Sequence, residues 1–267
     1  MKIGIISDKY HLEHKLLELL KYLRSKAEIS LYIEESYLLN CSNFKFDEDL
    51  FFVKGKGDLI LALVKLIEKE TSIPVINSHG AIWLAINRFM NCMILKREGI
   101  LVPEFTLNPH GIPPHFEDFI MKNIIDQKRY TFSPKIEKKN GRLHIFDERA
   151  LNEKTKYQYF FYQKFIKSKW EYKVYGICNQ LYFYKQLPTL VNPNKMESRK
   201  KIEEIKELRE MSLKAMKALN LELASIDFLK SKDSKYYLTD INSSPNFNYI
   251  KNGPKIVGDF ILERARN

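Results

Sequence analysis

With 267 residues, 45% of them hydrophobic and 13% aromatic, the chain can bury a substantial core in one large domain or two to three packed lobes, which excludes a disordered or fibrous protein. No run of 18 apolar residues occurs and the N-terminus lacks the pattern of a signal peptide, so a soluble, cytoplasmic protein with no membrane partner is expected. The net charge of +11 suits an anionic partner or plain solubility; only ten of the 44 basic residues are Arg, and no zinc-finger spacing, RNA-recognition motif or basic-helix repeat occurs, which disfavours nucleic acid.

Ile3 to Ser7 is an apolar run ending in Ser-Asp, as in a buried strand feeding a loop. Leu12, Leu16, Leu17, Leu20 and Leu23 follow at helical spacing. Ile29 to Ile33 and Leu50 to Val53 read as further strands, Leu59 to Ile67 as a helix and Val75 to Asn77 as a short strand. This alternation predicts an open α/β sheet, whose ligands sit beyond the carboxyl ends of the strands. Ser7-Asp8-Lys9 and Lys54-Gly-Lys56-Gly-Asp58 occupy such ends. The glycines let the backbone approach a phosphate and the lysines would attract it, although a charged surface turn has the same composition.

Ala81 to Leu95 is helical around Asn87-Arg88, with Gly99 as a C-terminal cap and Pro103 as a stop. Asn108 to Pro114 is rich in turn residues and marks a boundary after residue 107. Asp118 to Lys122 reads as a strand, as does Tyr159 to Ile166 running into a loop. Glu171 to Tyr175 and Leu181 to Lys185 flank a turn at Asn179-Gln180. Helical apolar spacing extends from Glu197 to Leu219. Cys41, Cys92 and Cys178 are far apart and read as reduced thiols.

Leu223 to Leu229 and Tyr236 to Asn242, joined by Lys230 to Lys235, form a predicted hairpin. A turn centred between Asp233 and Ser234 sets Asp227 opposite Asp240, about 5 Å apart at Cβ, with Asn242 on the same face. Two facing carboxylates need water, a proton or a cation between them, and this all-oxygen set suits Mg²⁺ with phosphate oxygens completing its shell. Unrelated carboxylates on a solvated hairpin would give the same spacing.

An Asp on one strand and acidic-x-Asn on the next, followed shortly by Pro (Asn242-Ser-Ser244-Pro245), resembles the magnesium-binding end of the ATP-grasp superfamily, which usually has Glu at the position of Asp240. The resemblance implies an N-terminal open α/β lobe (1–107) and two α+β lobes (108–165 and 166–267) enclosing ATP and Mg²⁺. It also implies metal binding by Asp227, Asp240 and Asn242, phosphate binding by Arg88 and Lys122, adenine contacts from Gln163, Lys164, Phe165 and Ile166, and a ribose contact from Glu171. The match weakens between Asn123 and Asn152, where many members carry a glycine-rich phosphate loop; here only Gly141 is present, with Arg129 and Lys135 as substitute charges.

Tyr172-Lys173-Val174 followed by Leu187-Pro-Thr-Leu190 resembles the inositol-phosphate kinases of the superfamily, which implies catalytic roles for Lys173 and Lys185. With Lys9, Lys54, Lys56 and Ser244 as acceptor contacts, the first expectation is a kinase acting on an anionic small molecule such as an inositol phosphate. Asn-Ser-Ser-Pro is the spelling of the carboxylate-amine ligases, similar to RimK-type and D-alanine ligases, and makes a ligase the alternative. A nucleotide-binding protein without catalysis is the third reading.

Overall fold

The computed structural model describes residues 1–36, 45–109, 111–126, 134–147, 159–188 and 196–267; Cys41, Arg129, Thr189 and Leu190 lie outside them. The apolar run after Met1 forms β1 (Lys2–Ser7), buried along nearly its whole length. It pairs in parallel with β2 (Glu28–Ile33) on one side and β3 (Leu50–Lys54) on the other, and β3 pairs in parallel with β4 (Val75–Ile76). Parallel neighbours require crossovers, supplied by α1 (Lys9–His14), α2 (Leu17–Arg24) and α3 (Asp58–Glu70). In the order β2-β1-β3-β4 the winding reverses between β1 and β3, so a crevice opens beyond Ser7 and Lys54.

Helices α4 (His79–Ile86) and α5 (Arg88–Arg97) meet at Asn87, which ends the first and caps the second by accepting a hydrogen bond from Met90 N at 3.0 Å. Gly99, at φ 70°, closes α5 as a C-terminal cap. The central sheet contains β5 (Phe105–Pro109), β6 (Phe119–Lys122), β7 (Pro134–Lys139), β8 (Arg142–Asp147) and β9 (Tyr159–Lys164) in the order β5-β9-β6-β8-β7. Because Phe105 to Pro109 pair with Gln163 to Tyr159, the expected division at 107/108 falls inside a strand, and the Pro-rich turn follows this sheet's first strand. Asn140 and Gly141, both at positive φ, form the tight turn of the β7–β8 hairpin.

The third sheet is antiparallel: β10 (Glu171–Ile177), β11 (Gln180–Gln186), β12 (Lys200–Lys201), β13 (Leu223–Lys230) and β14 (Tyr236–Asn242), ordered β12-β11-β10-β13-β14. Helix α6 (Lys206–Ala218) covers one face. The helix expected from Glu197 therefore starts nine residues later: Lys200 and Lys201 pair with Lys185 and Tyr184 instead. Ile202 and Ile205 still pack against the core, so the spacing reported burial correctly but not conformation. Helix α7 (Gly253–Arg264) packs on α2, where any Cβ at Gly258 would lie 2.4 Å from the Tyr22 ring.

One core joins Ile3, Leu16, Leu20 and Leu23 of the first lobe to Tyr175, Leu223, Phe247, Val257 and Ile261 of the third. The central sheet packs a small core of its own around Phe119, Met121, Phe160 and Tyr162. Among the described residues no helix is long and apolar enough to cross a membrane.

Candidate nucleotide and metal site

Near its turn the β13–β14 hairpin pairs Lys230 with Tyr236 and Phe228 with Leu238. The register then shifts by one residue, leaving Thr239 as the extra residue of a bulge whose hydroxyl donates to Asp227 O at 3.1 Å. Beyond the bulge Asp227 faces Asp240 and Ser225 faces Asn242. The facing carboxylates expected from the sequence are present, but the bulge produces them and not a turn centred between Asp233 and Ser234. Asp227, Asp240 and Asn242 share a face with Lys173 and Tyr175 of β10. The opposite face, with Val174, Ile226, Phe228 and Leu238, is sealed against Leu208, Ala215 and Met216 of α6.

The central sheet brings cations to these carboxylates. Lys122 ends β6 and donates to Gln163 Oε1 at 3.1 Å. A short antiparallel contact, with Arg88 N bonded to Ile124 O at 2.9 Å and Asp126 N to Ile86 O at 2.8 Å, fixes the start of α5. Arg88 then donates through Nη1 to Asn123 O at 2.7 Å and pairs through Nη2 with Asp126 Oδ1 at 2.8 Å. Asp240 is open to water but surrounded by protein, and that desolvation, with Asp227 and Asp126 nearby, raises its pKa against the opposing pull of Lys122 and Arg88. Burial lowers the pKa of Lys122, aided by Arg88 and opposed by Asp240. Burial also opposes the charge on Lys173, but its ion pair with Asp227 prevails and raises its pKa.

Several expected contacts are placed otherwise. Lys54 is only 3% exposed; it donates to Ser244 O at 2.7 Å and also to Pro245 O, so it grips the chain after β14 and does not face an acceptor. Its burial among Lys15 and Lys56 pushes its pKa down to about 7, with Asp8 opposing. Lys56 is paired with Asp126, and Lys173 with Asp227. Lys9 is an exposed side chain 3.8 Å from Glu13. Lys185 lies opposite Tyr172, hence on the face away from Asp227, with its ammonium over the Trp170 ring at 5.1 Å; strand alternation separates it from the catalytic face expected of it. Lys135 pairs with Glu137 at 2.8 Å.

Gln163 is buried on β9, the exposed Lys164 side chain lies 3.6 Å from Glu104, and Phe165 and Ile166 continue half-buried into the connection to β10. Glu171 is buried and accepts from Gln186 Nε2 at 2.7 Å. Cys92 is a buried free thiol, pushed up to about 12 by desolvation, and Cys178 is exposed.

Two further residues were missed from the sequence. Asn77, 2% exposed, donates to Leu223 O at 2.8 Å and Ser243 O at 2.7 Å and accepts from Glu222 N at 2.8 Å and Leu223 N at 3.0 Å, so one amide holds both the entry of β13 and the exit of β14. Arg199 donates to Gln186 Oε1 at 2.7 Å and Tyr175 OH at 3.0 Å, with its guanidinium over the Tyr249 ring at 4.5 Å. Its sequence signal is slight: it is the one Arg in the stretch Lys195 to Lys201. Lys could not reproduce a planar fork held on three sides.

The donor set fits a magnesium ion that arrives with a nucleotide. Among the described residues no three His, Cys, Asp or Glu side chains assemble a cage of their own. Two carboxylates and an amide oxygen leave about half of an octahedral shell to water and phosphate. Arg88 Nε, Asn123 Oδ1 and Ser244 Oγ, on the segments bordering these carboxylates, are buried without a hydrogen-bond partner.

Residues 191–261 match the model of the RimK-like ATP-grasp domain. Across the whole chain, the D-alanine–D-alanine ligase of Bacillus anthracis complexed with ATP is similar with a TM-score of 0.70 at 17% identity, covering 100% of this chain and 97% of that one. The fold is the ATP-grasp fold. A RiPP-associated ATP-grasp ligase of Chryseobacterium gregarium, in complex with ADP and a leader and core peptide, gives a TM-score of 0.70 at 14% identity, with 98% and 97% coverage. The ATP-grasp ligase PsnB complexed with minimal precursor, Mg and ADP gives 0.67 at 14%, with 99% and 98% coverage. No curated protein sequence matches the chain. In ATP-grasp terms, the two antiparallel-rich sheets are the two leaves of the fold, and the parallel sheet is the lobe that precedes them.

Proposed function

We propose that this chain is an Mg-ATP-dependent ligase that activates a carboxylate as an acyl phosphate and transfers the acyl group to an amine. The observation that carries this reading is how the cations are used. Lys54, Lys56 and Lys173, which would have favoured a polyanionic acceptor and hence a kinase, are spent on Ser244 and Pro245 carbonyls, on Asp126 and on Asp227. Arg199 keeps part of its fork without a partner among the described residues, on the same sheet face as Asp227, and a planar fork is the complement of a carboxylate. The neighbours named above are ligases, one of them complexed with a leader and core peptide and another with a minimal precursor. The carboxylate of an amino acid or peptide is therefore the substrate class proposed.

In this reading Asp227, Asp240 and Asn242 would hold Mg²⁺, which neutralises phosphate charge. Lys122 and Arg88 fix the phosphates, the buried Gln163 and Glu171 line the nucleoside end, and Arg199 orients the substrate carboxylate. A carboxylate oxygen attacks the γ-phosphorus as the bond to ADP breaks; the amine nitrogen then attacks the acyl carbon, phosphate leaves, and the surplus amine proton is lost to solvent. The protein's part is positioning and charge stabilisation. The test is to supply ATP, candidate amino acids or peptides, and hydroxylamine as nucleophile. One free phosphate per ADP with hydroxamate formation is expected; ADP without free phosphate and a phosphorylated product would instead establish the kinase.

A further inference from the structure

We infer that Lys54, a residue of the N-terminal sheet, is a positioning residue for the Asn242 end of the metal set, an inference that rests on the Mg-ATP reading above. Asn242 is the last residue of β14, so no ladder partner follows to hold its side chain. What fixes it is local: Asn242 Oδ1 accepts from Ser244 N at 2.9 Å. That amide is aimed by its neighbours, because Ser243 O is held by Asn77 and the carbonyls of Ser244 and Pro245 are both held by the Lys54 ammonium. The orientation of a proposed metal ligand in one lobe is thus set by a side chain from the carboxyl end of β3 in another, beside the crevice between β1 and β3.

Lys54 makes these contacts at an electrostatic cost. Its ammonium is buried and meets carbonyl oxygens, with Lys15 and Lys56 adding repulsion. An apolar side chain of similar length would fill the space without burying a charge, but it would leave the Ser244 and Pro245 carbonyls without their donor and free to turn. Residues that orient ligands from behind characteristically change metal affinity when replaced, while the ligands remain in place.

Binding of a non-hydrolysable ATP analogue is to be measured by calorimetry, with Mg²⁺ and with the metal removed by EDTA, for the parent, Lys54→Met and Asp240→Asn. For Lys54→Met, metal-free binding within about twofold of the parent and roughly a tenfold loss of the enhancement by Mg²⁺ are expected. Lys54→Gln, which keeps a donor of shorter reach, serves if the Met variant does not fold. Full enhancement in a folded Lys54 variant, or failure of both variants to fold, would overturn the inference. If Asp240→Asn also retains full enhancement, it is the metal reading itself that fails; if only the Lys54 variants retain it, the metal reading stands without this residue.

Discussion

Asp240 shows at a single residue how the candidate site works against stability. Surrounding protein and the neighbouring Asp227 and Asp126 raise its pKa above the ordinary value of 3.8, and Lys122 and Arg88 only partly offset this. A carboxyl that holds its proton more tightly when folded than when unfolded destabilises the fold once ionised. Asp240→Asn is therefore expected to raise the melting temperature at pH 7 while weakening Mg-ATP binding. The gain should shrink as pH falls through the raised pKa and vanish below 3.8, where both forms are neutral. Thermal melts of the two proteins from pH 3 to 8 check this; a variant less stable than the parent at pH 7 would show that the charge is compensated within the fold.

Among the elements, those with a strong local signal were legible in the sequence: the continuous apolar run of β1, the helical spacing of the crossover α3, and the two strands around a polar turn that carry Asp227 and Asp240. The destinations of the lysines were not, because each depends on a partner from a distant segment: Lys54 on Ser244, Lys56 on Asp126, Lys173 on Asp227. Nor was the stretch from Glu197 to Ile205, where Arg199 is drawn to Gln186 and Tyr175 and a short strand replaces the first turns of the expected helix. Asn77 belongs with these. Replacing it by Ala strips three buried backbone groups and the half-buried Glu222 N of this partner, and at about 1–3 kcal/mol for each group left unsatisfied the loss should reach roughly 3 kcal/mol or more. Urea denaturation measures it directly. A change below about 1 kcal/mol would mean that water substitutes for the amide.

The first and third lobes share two apolar clusters, and the chain's last helix closes one of them. Val257, Ile261 and Leu262 of α7 are buried against Leu16, Leu19, Leu20 and Leu23, where Gly258 allows the close approach to Tyr22. Burying each such side chain is worth about 1.5–3 kcal/mol. Together they contribute on the order of the 5–15 kcal/mol that separates a folded domain from its unfolded chain. Truncation after Asn252 should therefore do more than fray an end: with their cover gone, α2 and β1 lose the surface on which they pack. The third sheet loses part of its support as well, because Tyr175 and Leu223 lie in the same cluster. The central sheet, which has its own core around Phe119 and Phe160, does not depend on α7 in this way. The truncated chain is expected to show no cooperative melt by circular dichroism and no Mg-ATP binding. A sharp transition within a few degrees of the parent would show that the lobes fold independently of this helix, held by the packing of α4 and α5 on the third sheet and α6 and by the polar contacts of Asn77, Lys54 and Arg88.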